Sequence, residues 1–202
     1  ALNLGTHRGD KPENVRENYR ILGSAVGFAP EETVFTRQEH TDLLLRVGRA
    51  DCGTGLDREQ TTVCDGILTD EPGVALVCFA ADCTPVLLFD PARQAIAAVH
   101  AGWRGTAQGI AYKAVLRMQE EFGCAPEDIR AAIGPCIGRC CFEVGPEVPD
   151  AMRDALGADA EAAIEPRGEK AHVDLKLFNR IWLQKAGVQV IDVSPDCTMC
   201  HP

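Results

Sequence analysis

"PVLLFDPARQAIAAVHAGWRG", residues 85–105, reads as two apolar strands joined by a short turn and followed at once by a bend between glycines. Within "DPAR" (90–93) the aspartate can hydrogen-bond its own backbone two residues on, and the proline presets φ, so the two runs form a β-hairpin. A hairpin puts antiparallel neighbours into the sheet. Elsewhere strands and helices intermix without strict β-α alternation. Both features predict an α+β fold: one domain over 1–202, with mixed sheets packed by helices.

Outward from the hairpin, the pattern supplies the other elements. Upstream, Asp10, Pro12 and Glu13 open a helix with Val15, Tyr19 and Leu22 on one face, ended by Gly23 or Gly27. "TVFTRQ" (33–38) alternates as a half-buried strand, and "DLLLRVG" (42–48) as a paired one. Residues 49–62 lack any period and form a long loop. "VALVCFA" (74–80) is apolar on both faces and is predicted to be a central strand. Downstream, Ile110, Ala114, Met118 and Phe122 place a helix over 106–122, closed by Gly123. "DIRAAIG" and "VQVIDV" are strands, while "PEVPDAMRDALG" and "DLKLFNRIWLQKAG" are helices, the second capped by Asp174.

The chain has 202 residues, 46% of them hydrophobic and 25% charged, as an ordinary globular protein does. Its net charge of -10 repels polyphosphate backbones, which argues against nucleic-acid partners and anionic membranes. The apolar runs are too short for a membrane span, and nothing at the amino end reads as a signal peptide. Ten cysteines in apolar settings then point to reduced thiols and a cytoplasmic location, and the protein is expected to be a monomer. Both ends are expected to be truncated.

His40, Cys83 and His100 share one address: the end of a strand or the turn after it, where open sheets place ligands. Two imidazoles and a thiolate are a zinc-type donor set, and three protein ligands leave a fourth corner for water or substrate. The gaps of 43 and 17 residues between them match no local zinc motif, so spacing alone does not decide the site. Asp65 and Asp82 could hydrogen-bond the histidines or serve as a base. Arg104, beside Trp103, can offer a planar fork to phosphate or carboxylate. "CTMCH" (197–201) matches the c-type haem attachment pattern, but such proteins are exported and this chain lacks an export signal. Cys136, Cys140 and Cys141 in "GPCIGRCCFEVG" are read as core or loop thiols, because adjacent cysteines rarely share one ion.

Taken together, "LNLGTHRGD", "ADCTPVLLFDP", "AVHAGWRGTAQGI", "AAIGPCIG" and "FEVGPEV" resemble the YfiH, or laccase-domain, family of purine nucleoside phosphorylases over nearly the whole chain. The resemblance implies zinc, with copper the less favoured metal, held by His40, Cys83 and His100, which would also be the catalytic residues. It implies phosphorolysis of adenosine, inosine and methylthioadenosine, with adenosine deamination in the same site. Copper polyphenol oxidation and cysteine-type hydrolysis of cell-wall precursors are activities also attached to the family. A small-molecule purine nucleoside and phosphate are then the partners. Asn3 and Gln38 would hydrogen-bond sugar or base, Asp65 and Asp82 would line the substrate site, and Arg104 would hold the anion. Thr41 stands where the family usually has glycine. The family's aromatic-Ser-aromatic-Arg-Arg stretch would follow Pro202, so part of the phosphate contact is expected from there.

Overall fold

The structure, a computed structural model, describes residues 2–6 and 8–200. The chain begins with α1 (Pro12–Val26), β1 (Thr33–Phe35), β2 (Leu44–Arg46), β3 (Gly66–Thr69) and β4 (Ala75–Val77). The hairpin forms as read, from β5 (Thr84–Asp90) and β6 (Ala95–Ala101), and runs into α2 (Trp103–Ala107) and α3 (Ile110–Phe122). After β7 (Arg130–Ile133) come β8 (Glu143–Val144), α4 (Glu147–Leu156), β9 (Ile164–Arg167), β10 (Lys170–Val173), α5 (Leu175–Lys185) and β11 (Val190–Val193).

The hairpin is the centre of a six-stranded sheet in the order β11-β7-β5-β6-β3-β2. Its two outer pairs, β11 with β7 and β2 with β3, are parallel and the rest antiparallel, so the sheet is mixed. In the turn, the Asp90 carboxylate accepts from Ala92 N (2.8 Å) and Arg93 N (3.0 Å), as its sequence suggests. Val86, Leu88, Ala97 and Val99 on one sheet face pack against Ile110, Ala114 and Met118 of α3 to form the main core. A second core lies between α4, α5 and β10 around Met152, Val173 and Phe178.

Several expectations are corrected. The helix placed over 106–122 is two helices: α2 begins at Trp103, and Gly109, at φ +74, separates it from α3. "VALVCFA" is not a central strand. β4 pairs only with β1, in a separate parallel pair, and is apolar on both faces because two cores cover it. Leu76 packs on Val34 and Ile67, while Val77 and Phe79 pack toward Tyr19 and Phe35. For the same reason β1 is buried throughout rather than half-buried. The β8-β10-β9 sheet is an element the sequence reading missed. Pro166, Arg167 and Lys170 make its β9–β10 hairpin polar and interrupt the strand pattern.

The capping box expected from Asp10 and Glu13 does not form, since Lys11 is the N-cap of α1 and no side chain caps it; three other helix ends read as expected. Gly27 closes α1 in the left-handed region, Gly123 closes α3, and the Asp174 carboxylate caps α5 by accepting from Leu177 N at 2.9 Å.

Candidate metal and substrate site

The site is organised by one buried carboxylate. Asp65, just before β3, is fully buried, and both of its oxygens are used. Oδ1 accepts from His40 N (3.0 Å) and pairs with His100 Nδ1 (2.8 Å). Oδ2 accepts from Glu39 N (3.1 Å), Thr41 N (2.8 Å) and Thr41 Oγ1 (2.7 Å). Three consecutive amides of the loop after β1 are thus wrapped around one acid. That wrapping explains how His40 adopts φ +59, a left-handed conformation costing roughly 1–2 kcal/mol for a residue with a side chain. The Thr41 hydroxyl is thus a further donor to the same acid.

His100 sits on β6 and is buried, its backbone N–H donating to Asp65 O at 2.7 Å. With Nδ1 committed to Asp65, Nε2 is the free ring nitrogen. Cys83 lies half-buried immediately before β5, and His40 is exposed at the rim. The donor atoms of His40, Cys83 and His100 all lie within 4.8 Å of one another, and the two imidazole rings meet edge-on with centroids 5.0 Å apart. The three residues singled out by their strand-end address therefore converge.

The same contacts set the electrostatics of the cluster. Burial raises the cost of the Asp65 carboxylate, but hydrogen bonds from His100, Thr41 and Glu39 outweigh it and bring the acid down to about 2. Burial likewise disfavours a charged His100, yet its contacts with Asp65 and Cys83 push it up to about 9. The pocket favours positive charge, which either a proton or a metal ion can supply.

Glycines flanking Trp103 and Arg104 make room for this arrangement. A Cβ on Gly102 would stand 2.7 Å from His40 Cδ2 and 3.3 Å from Cys83 Sγ, and one on Gly105 would stand 2.7 Å from Thr41 O. Neither glycine has a positive φ, so both serve close approach. The sequence signal was their placement around the Trp-Arg pair, and its meaning needed coordinates.

The remaining site residues lie at different distances from this cluster. Gln38, two residues before His40, has its amide occupied: Nε2 donates to Phe79 O (2.7 Å), and Oε1 accepts from Phe79 N (2.7 Å) and Thr36 Oγ1 (2.6 Å). It ties the loop of His40 to the segment after β4. Asp82, beside Cys83, is exposed and accepts from Thr198 Oγ1 at 2.6 Å. Arg104 stacks over the Trp103 ring at 4.3 Å and lines a groove of about 490 Å³ between α2 and α4, facing Ala151, Asp154 and Ala155. Among the described residues it has no ion-pair partner. Asn3 is bonded at the start of α1, to Asp10 (3.3 Å) and Gly5 N (3.1 Å), and makes no contact with the cluster.

Cys136 is a core thiol, as expected, but Cys140 and Cys141 are not isolated loop thiols: their sulfurs gather with those of Cys197 and Cys200. This gathering also takes both cysteines of the haem-like pattern, whose His201 lies outside the described residues.

The family model described as "Multi-copper polyphenol oxidoreductase laccase" matches residues 1–202. The chain belongs to this family. Similar relatives include a purine nucleoside phosphorylase from Bacteroides thetaiotaomicron, 37% identical over all of this chain and 76% of that one. Another is the purine nucleoside phosphorylase YlmD of Geobacillus stearothermophilus, 38% identical over all of this chain and 75% of the relative. Among solved structures, the hypothetical protein YfiH of Bacillus licheniformis superposes with a TM-score of 0.93 at 36% identity, covering 99% of this chain and 77% of that one. YlmD of Geobacillus stearothermophilus superposes with a TM-score of 0.92 at 39% identity, covering 100% of this chain and 76% of that one. The YfiH-like α+β fold expected from the motifs is the fold observed.

Proposed function

We propose that this laccase-domain protein is a zinc-dependent purine nucleoside phosphorylase that also deaminates adenosine, with His40, Cys83 and His100 as its metal ligands. The observation that carries the reading is the His40–Cys83–His100 cluster, with Asp65 fixing the His100 ring so that Nε2 faces its two companions. The names of the relatives supply the substrate class. Two imidazoles and one thiolate suit zinc and could also hold copper, but a multicopper oxidase needs many more histidines than the five in this sequence, so zinc is the metal of choice. His172, the other described histidine, is bonded to Arg139 O at 2.6 Å, outside the cluster.

A zinc ion held by these residues would supply Lewis acidity at the rim of the sheet. The chain does the rest. Asp65 holds both histidines, one by its ring and one by its backbone, so the donors are preorganised. In phosphorolysis, phosphate bonds to the sugar C1′ as the bond to the purine breaks, its electron pair leaves with the base, and the base takes a proton. Arg104, which has no ion-pair partner among the described residues, would present its guanidinium to that anion. Asn3 or Gln38 would hydrogen-bond sugar or base, Asn3 by releasing Asp10 and Gly5 and Gln38 by releasing Phe79. Asp82, next to Cys83 in sequence, would line the substrate site. The ten unbridged cysteines suit a reducing cytoplasm, where the protein would act as a monomer.

Incubation with inosine tests the reading. Hypoxanthine should appear only when phosphate is present, and His100→Ala should abolish it; adenosine should also yield ammonia. Zinc-loaded protein that turns over no nucleoside with phosphate would overturn it.

A further inference from the structure

The turn after β7 and the segment after β11 are far apart in sequence and are laced together. Thr198 N donates to Cys136 O (3.1 Å), and Gly138 N donates to the Cys197 sulfur (3.1 Å). The Lys176 ammonium, buried, holds the same segment by donating to Ser194 O (2.9 Å) and Asp196 O (2.8 Å). At this junction the sulfurs of Cys140, Cys141, Cys197 and Cys200 all lie within 4.8 Å of one another.

The spacing between those sulfurs is informative. Cys200 Sγ is 3.7 Å from Cys140 Sγ and 3.5 Å from Cys141 Sγ. A disulfide would need about 2.05 Å. Four thiolates around one zinc ion, with arms of about 2.3 Å, stand about 3.8 Å apart along each edge of the tetrahedron. The two printed separations fit sulfurs sharing an ion, as they also fit thiols in contact, and are far too long for sulfurs joined to each other.

Local backbone supports the same reading. Cys197 and Cys200 have the two-residue spacing common in thiolate zinc sites, closed by Cys200 N donating to Cys197 O at 3.2 Å. Cys141 N donates to Gly138 O (2.9 Å), and this turn lets two adjacent cysteines face one point, as a strand would not. Gly138 lies close against the cluster: a Cβ there would stand 3.1 Å from Cys197 Cβ and 3.2 Å from Cys140 Sγ and would push on both. Its N–H on the Cys197 sulfur also eases the charge of a thiolate.

We propose that Cys140, Cys141, Cys197 and Cys200 form a second metal site, a closed four-thiolate centre for one zinc ion, separate from the His40–Cys83–His100 cluster. With all four corners filled by sulfur it has no position for substrate, so its role is a staple. It fastens the segment after β11 to the turn after β7. That junction supports the strand end bearing Cys83, because Asp82 O accepts from Ile137 N (3.0 Å) and the Asp82 carboxylate from Thr198.

Zinc content of the purified full chain tests this directly. Wild type should carry two zinc ions per chain, and Cys140→Ser/Cys200→Ser and His40→Ala/His100→Ala should each carry one. Cobalt loaded into the histidine variant should show the intense thiolate charge-transfer absorption of a sulfur-only site, and the cysteine variant should lose that component. If the serine variant does not fold, alkylation of native wild type serves instead: peptide mapping should find these four thiols protected until a chelator is added. Equal zinc in wild type and a folded serine variant would overturn the proposal. So would alkylation of the four thiols at one rate with and without chelator, or a metal-free protein lighter by two hydrogens per bridge at these cysteines.

Discussion

Asp65→Asn removes one charge and changes almost no volume, which makes it a sharp probe of how the site is held. The carboxylate is an acceptor at five places and a donor at none. An amide keeps one accepting oxygen and turns the other end into a donor. If the new NH2 occupies the Oδ2 side, it faces three donors from Glu39 and Thr41. If it occupies the Oδ1 side, it faces His40 N–H, and His100 must accept at Nδ1 and carry its proton on Nε2. That second tautomer withdraws the lone pair His100 would offer a metal. Breaking a buried, hydrogen-bonded charge pair costs about 3–5 kcal/mol. For a chain of this length about 2–4 °C accompanies each kcal/mol, so the melting temperature should fall by roughly 6–20 °C. Loss of the acid behind a ligating histidine typically weakens metal binding by roughly 10–100-fold. Thermal unfolding and zinc competition against a chromophoric chelator read the two effects separately. A variant with unchanged melting temperature and unchanged zinc affinity would show that Asp65 does not organise the site.

Gly102→Ala should lower zinc occupancy and activity with little change in melting temperature, because the added methyl meets His40 and Cys83 rather than the core; metal analysis and unfolding curves check it. Arg104→Ala should raise the KM for phosphate about tenfold or more while leaving kcat/KM for deamination of adenosine near wild type, since only one of the two reactions needs the anion. Asp90 is buried, which raises its pKa, but the Arg93 amide, the Cys124 thiol and the Ala92 amide outweigh this and leave it below its ordinary value. A depressed acid stabilises the fold above its unfolded pKa of about 3.9, and that contribution is lost as pH falls through the lower folded value. Asp90→Asn should therefore be less stable at neutral pH and show a shallower decline between about pH 4 and the folded pKa, read by urea unfolding across pH.

The hairpin, the helix caps at Gly27, Gly123 and Asp174, and the strand-end address of His40, Cys83 and His100 were legible because each rests on a local rule. A turn aspartate, a left-handed glycine and a capping carboxylate need only neighbours in sequence. What stayed hidden depends on contacts between distant segments. β4 looks central because both its faces are apolar, yet apolar faces report coverage by two cores, not rank within a sheet. The meaning of Gly102 and Gly105 lies in the loop of His40, some sixty residues upstream.

Cysteine shows the same division most clearly. Read along the chain, Cys140 and Cys141 look too close to each other to share an ion, and "CTMCH" looks like an attachment site for haem. Folded, the two stretches abut, and each supplies what the other lacks: a Gly138 turn that aims neighbouring sulfurs at one point, and a two-residue cysteine step to face them. Both the histidine site and the thiol cluster are thus assembled from pieces whose sequence spacing says little. They are also joined through one residue, since Asp82 is held by Thr198 from the cysteine-bearing segment and is followed directly by Cys83. The position of the strand end that carries a proposed metal ligand is therefore tied to the segment after β11, and loosening that segment should be felt at the site even where no donor atom is touched.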